Sequence, residues 1–384
     1  MRVYLVITPF FPEHGNFRGP YILDQVRALK KKTNFEIIIF KPVSFLSKKT
    51  LDYEYEGFKV YRIKDYTTPS FIYPNKYTDF LSSKSLIEKL KKLNININDI
   101  AFCHCHVNEN VKFTLLLKRY NPNVKIISQH HGFDIFGKDN GVFSNTQWHN
   151  KLCVSYGRSL CRYVDLHIGV SYKTLQFLKE EANDVVKDSY VLYNGVDVNI
   201  FKPNINKTQN KFFIIGCIAN FWPLKDHLTL IKAIEILYKK NITNIKVLFI
   251  GSGETMPFCK QYIGEHKLTH LFEFINEMMH ENLPSFYQSL DLFVLPSYYE
   301  AFGCVYAEAY SCGVPFIAVK NQGISEIISE ECKEDFLIDK GDEKMLSNLI
   351  LKQMNSKSSY LPKLTIDLNI NSLIQGLINK LNNL

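Results

Sequence analysis

Leu295-Pro296-Ser297-Tyr298-Tyr299-Glu300-Ala301-Phe302-Gly303-Cys304-Val305-Tyr306-Ala307-Glu308-Ala309-Tyr310-Ser311-Cys312-Gly313-Val314-Pro315 passes from one strand through a helix to the next strand. A strand ends at Leu295 and a loop carries Glu300. Gly303 opens a helix that holds Glu308 in its first turns, and Gly313 closes it. The first N–H groups of a helix have no intrahelical acceptor and lie at the positive end of its dipole. The backbone at Gly303, Cys304 and Val305 is therefore an anion site. Glu300 precedes that site, and Glu308 follows it from within the helix. One carboxylate can accept hydrogen bonds from sugar hydroxyls and the other from ribose hydroxyls, with a phosphate between them. Two glutamates alone would read as a local cap and a solvated side chain. The strand–loop–glycine–helix setting favours a functional pair.

The same alternation extends in both directions. Apolar runs predict strands at Phe212–Ile218, Val247–Ile250, Phe272–Ile275, Leu292–Leu295 and Pro315–Val319, with helices between them, as at Leu228–Tyr238 and Leu283–Ser289. Upstream, Phe201–Asn210 is polar, Asn-rich and without period, and reads as a linker. Before it, strands are predicted at Val3–Ile7, Phe35–Phe40, Ile100–Cys103, Lys125–Ser128, Leu166–Val170 and Tyr190–Tyr193. A helix is predicted from Pro20, with Ile22, Val26 and Leu29 on one face. The runs are near-continuous and β-branched, as in parallel strands buried on both faces. The expected fold is α/β, with two doubly wound Rossmann-like domains. The first covers residues 1–203 and the second 204–368, and a helix at 369–384 returns to the first domain. Ligands of such sheets bind outside the carboxyl ends of the strands, and two domains can turn those ends toward each other across a cleft.

Composition narrows the class. The chain has 384 residues, 46% hydrophobic and 22% charged, which suits two globular cores. No apolar run reaches the roughly 18 residues of a membrane helix. Met1–Pro9 is too brief for a signal sequence, so a cytoplasmic location is expected. Nine cysteines at irregular spacing read as core thiols rather than a disulfide framework. The run Cys103-His104-Cys105-His106 suggests a metal site, but on a strand its Cys and His pairs diverge, and no second pair follows at zinc spacing. The reading adopted is the end of a buried strand. The net charge of +8 is concentrated in the first half, with dense runs at Lys30–Lys32 and Lys89–Lys92. The second run interrupts Leu86, Ile87, Leu90 and Leu93 at helical spacing. That helix lies either on an anionic membrane surface or with a solvated face over a core stripe.

Three further sites carry candidate chemistry. Lys225, at a strand-to-helix turn that begins near Asn220, can reach a diphosphate and neutralise the charge that develops as it leaves. The loop Thr8–Pro20 contains Gly15 and Gly19, whose backbone freedom can turn N–H groups toward a phosphate. His130 and His131 follow the strand Lys125–Ser128 and precede Gly132 and Asp134.

The segment Glu300–Ala309 resembles the E-x-F-G-x(4)-E-A signature of the retaining family-4 glycosyltransferases, which have the two-domain GT-B fold. The similarity extends over about residues 1–330. Asn194-Gly195-Val196-Asp197 is similar to the family's N-G-V-D, and Ile250–Glu254 to its G-x-G turn. Gly323 and Glu326 are similar to G-x-x-E, and His131-Gly132-Phe133-Asp134 to H-G-x-D. The resemblance implies a nucleotide-sugar donor, UDP- or GDP-linked, with no other cofactor and no metal. It places Glu308 on the ribose and the diphosphate on Phe302, Gly303, Cys304, Val305 and Lys225. Glu300 and His131 hold the transferred sugar, and Gly15 lies near the donor phosphates. The family segment G-R-L-x-x-x-K-G has Asn220 at its Arg and Asp226 at its Gly. Asn220 keeps hydrogen-bonding capacity on the donor but carries no charge. The chain contains no D-x-D, the metal–diphosphate clamp of the other major glycosyltransferase fold.

The implied activity is retaining transfer of a sugar to a glycan or lipid-linked acceptor, in cell-surface polysaccharide biosynthesis. Peripheral contact of the basic first domain with the inner face of the membrane fits this, and nucleic acid is not expected. A nucleotide-sugar epimerase, a sugar phosphorylase and a non-catalytic nucleotide-sugar-binding protein are the alternatives. The aromatic stretch Phe71–Tyr77 either stacks on acceptor sugars or packs internally.

Overall fold

The computed structural model describes residues 2–14, 19–48, 51–67, 74–132, 134, 155–182, 185–205, 211–356 and 360–384. It divides into two compact units, residues 1–193 with 370–384, and residues 194–369.

The first unit is built on strands β1 (Val3–Ile7), β2 (Glu36–Ser44), β3 (Tyr53–Tyr55), β4 (Phe58–Asp65), β5 (Ile100–His106), β6 (Lys125–His130), β7 (Leu166–Gly169) and β8 (Ser189–Val191). Their order is β3-β4-β2-β1-β5-β6-β7-β8, and every pairing is parallel except β3 with β4. All five residues of β1 are buried because each face of the sheet carries its own core. Tyr4 and Val6 pack with Ile22, Val26 and Leu29 of the helix Pro20–Lys32. Val3, Leu5 and Ile7 pack with Leu86, Ile87 and Leu90 of the helix Lys76–Lys92. The apolar stripe of that second helix is thus spent on the protein core. Its lysines form the outer face, where Lys89 pairs with Asp52 at 2.7 Å. This is the arrangement of a core stripe under a solvated face, with Leu86, Ile87 and Leu90 committed to the core.

The helix Ile370–Leu381 belongs to this unit: Ile374, Leu377 and Leu381 enter the core of the Pro20–Lys32 helix, and Lys380 pairs with Asp188 at 2.7 Å. The hairpin β3–β4 was not among the predicted strands. Its two-residue turn is Glu56-Gly57, both with positive φ (49° and 72°), the geometry of a type I′ turn. The Tyr-Glu-Tyr alternation ahead of a Glu-Gly pair was its sequence signal.

The second unit has strands β9 (Phe213–Ile218), β10 (Ile245–Ile250), β11 (Phe272–Ile275), β12 (Leu292–Val294), β13 (Phe316–Val319) and β14 (Leu337–Ile338), ordered β11-β10-β9-β12-β13-β14 and all parallel. β14 has only two residues, too few to leave a periodic signature. The unit boundary falls after Tyr193 rather than after Pro203. Phe201, expected in a linker, is instead a core residue, 1% exposed, packed edge-on against Tyr287 and His280. Gln288 donates to the Lys202 carbonyl and Val196 N–H to that of Leu368, which ties residues 194–203 to this unit. Among the described residues no helix is long and apolar enough to cross a membrane, and no three His, Cys, Asp or Glu side chains are grouped to hold a metal.

Truncating Phe201 to Ala should therefore cost about 3–5 kcal/mol, the range for buried aromatic truncations. Urea unfolding followed by fluorescence should show a lower midpoint; an unchanged midpoint would return the segment to linker status.

Candidate active site

In the second unit the loops after β9, β12 and β13, which are neighbours in the sheet, are stitched together at their carboxyl ends. Ser297 Oγ donates to the Leu224 carbonyl at 3.1 Å, and Tyr298 N–H to the same oxygen at 3.2 Å. Glu300 N–H donates to Gln322 Oε1 at 2.8 Å, and Gly323 N–H to the Glu300 carbonyl at 3.3 Å. A Cβ on Gly323 would stand 1.9 Å from the Ala301 carbonyl oxygen, so only glycine permits this approach.

Gly303 takes left-handed φ/ψ values of 87° and 80° as the N-cap of the helix Cys304–Ser311. The Glu300 carboxyl carbon lies 3.8 Å from the position a Gly303 Cβ would occupy, near the start of that helix. Lys225 ends a short 3-10 turn, and its Nζ pairs with Glu300 Oε1. Both side chains are largely buried. The structure thus brings Lys225, Glu300, Gly303, Cys304 and Val305 together, with Phe302 fully buried beneath them. Glu308 lies on the same helix, 6% exposed; Tyr287 donates to its Oε2 at 2.7 Å, and His280 Nε2 is 3.8 Å from its Oε1. Burial, with the charges of Glu308 and Glu300 added, pushes the Cys304 thiol well up, so Cys304 serves here as an uncharged wall.

The turn that carries Lys225 is shaped from below. Gly251 and Gly253 have φ of 138° and 152°, and a Cβ on either would strike a backbone oxygen, that of Ala219 at 2.1 Å or Phe221 at 2.6 Å. The G-x-G turn therefore seats the 219–226 loop: Phe221 N–H donates to the Ser252 carbonyl at 2.9 Å. Asp226 adopts φ 49° and ψ 45°, the left-handed region, which explains why a glycine suits this position. Its carboxylate accepts from Thr229 Oγ1 at 2.7 Å. Asn220 is exposed on this loop. His227, stacked on Phe221 at 3.8 Å, is held neutral: burial, then Lys225, lowers it to about 3.

In the first unit, the adjacent histidines separate into different roles. His130 is fully buried and bonded through both ring nitrogens, Nδ1 to Asp134 at 3.0 Å and Nε2 to His167 Nδ1 at 3.0 Å. His131 is partly exposed, and its N–H donates to Asp134 Oδ1 at 3.1 Å. Burial opposes the charge of Asp134, but the hydrogen bonds from the His130 ring and the Asn108 backbone N–H help to hold it below the usual carboxylate range. Gly132, φ 104°, turns the chain after His131. Gly15 and Phe133 lie outside the described residues, as do Phe71–Tyr73 of the aromatic stretch. Sequence reasoning missed Tyr287 and Gln322, and it read His106 only as part of a metal candidate or a strand end. Each acts through a fold contact between segments distant in the chain, which no local pattern announces.

Residues 197–364 match the family model described as "Glycosyl transferases group 1". An uncharacterised glycosyltransferase of Methanocaldococcus jannaschii is 26% identical over 300 residues, 72% of each chain. The capsular polysaccharide biosynthesis glycosyltransferase CapM of Staphylococcus aureus is 31% identical over 43% of this chain and 44% of its own length. The UDP-Gal:alpha-D-GlcNAc-diphosphoundecaprenol alpha-1,3-galactosyltransferase of Escherichia coli is 28% identical, over 47% and 48%. The chain thus spans about half the length of those last two relatives. Among solved structures, Anabaena HepE in complex with UDP and glucose aligns with TM-score 0.71 over 100% of both chains at 16% identity. The fold is that of those solved GT-B glycosyltransferases, and the family match is confined to residues 197–364, within the second unit.

Two outcomes follow from the geometry. Gly323→Ala should destabilise the second unit by about 1–3 kcal/mol, the scale of an overpacked contact, and a matching fall in the denaturant midpoint checks it. In the first unit, burial lowers His104 and His167 to about 3 and His131 to about 4. Unfolded imidazoles bind protons at about 6.5, so below that pH the unfolded chain takes up more protons. Stability is therefore full above about pH 6.5 and falls as the pH drops toward the folded values. Each such histidine contributes a slope of about 1.4 kcal/mol per pH unit. Denaturant titrations between pH 7 and 5 should show this loss, and His104→Gln should flatten it.

Proposed function

We propose that this chain is a retaining glycosyltransferase that moves a sugar from a nucleotide-sugar donor to a glycan or lipid-linked acceptor in cell-surface polysaccharide biosynthesis. The observation that carries the reading is the Lys225–Glu300 pair beside the start of the helix that also holds Glu308. An ammonium, a row of free N–H groups and two carboxylates on one βα junction are what a sugar diphosphate needs. The base and ribose bind the second unit, with Glu308 accepting from the ribose hydroxyls. The diphosphate takes the N–H groups of Gly303, Cys304 and Val305 with Phe302 behind them, and Lys225 Nζ. Asn220 stands by as an uncharged donor. Glu300 accepts from hydroxyls of the transferred sugar, and His131 and Gly15 of the first unit are read as its further donor contacts.

The reaction proposed is a same-face substitution. The bond from the anomeric carbon to the diphosphate oxygen breaks, and Lys225 and the helix end stabilise the negative charge left on that oxygen. The acceptor oxygen attacks from the same side, and its proton passes to the departing phosphate. Lys225 supplies the cationic charge, so the reading is of a metal-independent reaction. The UDP and glucose of the Anabaena structure and the lipid-linked substrate named for the E. coli relative support UDP-linked donors and a polyprenyl-linked acceptor. Lys30, Lys31 and Lys32, exposed at the end of their helix, suit peripheral contact with an anionic inner membrane face. Asn220 in place of a cationic residue favours one second reading, a binding protein without turnover.

The first test is a thermal-shift screen of UDP-, GDP-, ADP-, CMP- and dTDP-sugars on wild type and Glu308→Ala. A ligand at 100 times its dissociation constant adds about 2.7 kcal/mol to the folded state. One nucleotide class should stabilise wild type and not the variant. No shift with any donor would sink the donor site, and binding without turnover on polyprenyl-linked acceptors would establish the second reading. An inverted anomeric product by NMR would overturn the same-face mechanism.

A further inference from the structure

The run Cys103-His104-Cys105-His106 is divided by the alternation of β5. Cys103 and Cys105 enter the core beneath the Lys76–Lys92 helix. His104 and His106 turn to the opposite face, where their rings stack with centroids 4.4 Å apart and planes 20° from parallel. His104 Nδ1 lies 2.9 Å from the Tyr4 hydroxyl. His106 Nδ1 lies 3.1 Å from His131 Nε2, and those two rings are also stacked, at 5.3 Å and 18°. The Tyr21 ring closes the end of the file, 5.1 Å from that of His131. Tyr4, His104, His106 and His131 thus form one file from the middle of the sheet to the residue just past β6.

Burying such a file costs desolvation, and apolar side chains of the same size would fill the space at lower cost. What apolar residues cannot do is set a proton. In a contact between two neutral imidazoles, one nitrogen must carry the proton and the other must not. The His106–His131 bond therefore couples the tautomers of the two rings. Burial keeps both neutral: it lowers His106, with His104 and His131 adding to the effect, and lowers His131 to about 4. The His131 N–H bond to Asp134 and the turn at Gly132 fix the backbone from which the ring projects.

We propose that His106 is a positioning residue, which holds His131 in one neutral tautomer and one ring orientation so that Nδ1 is the atom presented to a ligand. The inference rests on the reading of His131 as a contact of the transferred sugar. His106 itself touches no substrate; it decides whether His131 Nδ1 donates to a sugar hydroxyl or accepts from one. The motif that suggested a metal site becomes an alignment device built into the strand.

Two readouts on the full chain test this. The first is long-range 15N–1H NMR of the imidazoles, with His131→Gln supplying the assignment. Wild type should show His131 as a single neutral tautomer at pH 7.5. Averaged nitrogen shifts in wild type would overturn the proposal without any variant. The second compares His106→Asn with His106→Leu, two side chains of similar size. Asn keeps an amide at the position of Nδ1, and Leu does not. In His106→Leu, His131 should show mixed tautomers, and kcat with the one of the five nucleotide-sugar classes that wild type turns over should fall about ten- to a hundredfold, the scale of a group displaced by about an ångström. UDP affinity should not change. His106→Asn should recover most of kcat and the single tautomer. Equal kcat and equal His131 shifts in the two variants would show that His106 only fills space. If wild type turns over no donor, the transferase reading fails, while the nitrogen shifts still decide the role of His106.

Discussion

The second unit depends on the joining of three loops at the carboxyl ends of β9, β12 and β13. Ser297 and Tyr298 bond the carbonyl of Leu224, Gln322 receives the N–H of Glu300, and Gly323 sits against the Ala301 carbonyl. Because β9, β12 and β13 are adjacent in the sheet, their exits are forced into contact. Their loop backbones must find partners among one another or be left unpaired. The positions of Glu300 and Lys225 are consequences of that accounting. Loops pinned in this way lose little entropy when a ligand arrives.

The first unit solves a different problem with the same sheet type. Its strands are buried on both faces, so each residue of β1 belongs to one core or the other. At β5 the rule holds, but the residues are histidines on one side and cysteines on the other. Polar rings that enter a core need partners, and here His104 takes the Tyr4 hydroxyl and His106 takes His131, in a stacked file that ends at His131. His130, on the opposite side, is satisfied by Asp134 and His167. Strand alternation thus separates two neighbouring histidines into a buried brace and a partly exposed group.

This explains what was legible in the sequence. The parallel strands were, because β-branched runs such as Val3–Ile7 have no other comfortable place than a doubly covered sheet. The βα junction at Glu300–Glu308 was, because glycine before an apolar helix marks the turn at which the helix starts. Phe201 was not: a single aromatic in a polar stretch carries no period, and only the ring contacts with Tyr287 and His280 make it core. Gln322 and Tyr287 were invisible for the same reason, since each meets its glutamate through a tertiary contact. The hairpin β3–β4 was written in Glu56-Gly57 but only three residues long on one side, too short to count as alternation.

On the proposed reading, the Lys225–Glu300 contact has a consequence for Asn220. With no ligand, the lysine charge is balanced by Glu300. A sugar diphosphate must draw Lys225 away from that carboxylate, and in doing so it frees Glu300 to accept from the sugar hydroxyls. The two events are one exchange of partners, so a nucleotide diphosphate without its sugar leaves Glu300 unpaired in a largely buried place, which is costly. A site with a second cation at position 220 would offset that cost whether or not a sugar was present. With asparagine there, binding depends more on the sugar filling the gap that the lysine leaves. On that reading the sugar of the donor, and not residue 220, is what pairs Glu300 again once the lysine has moved.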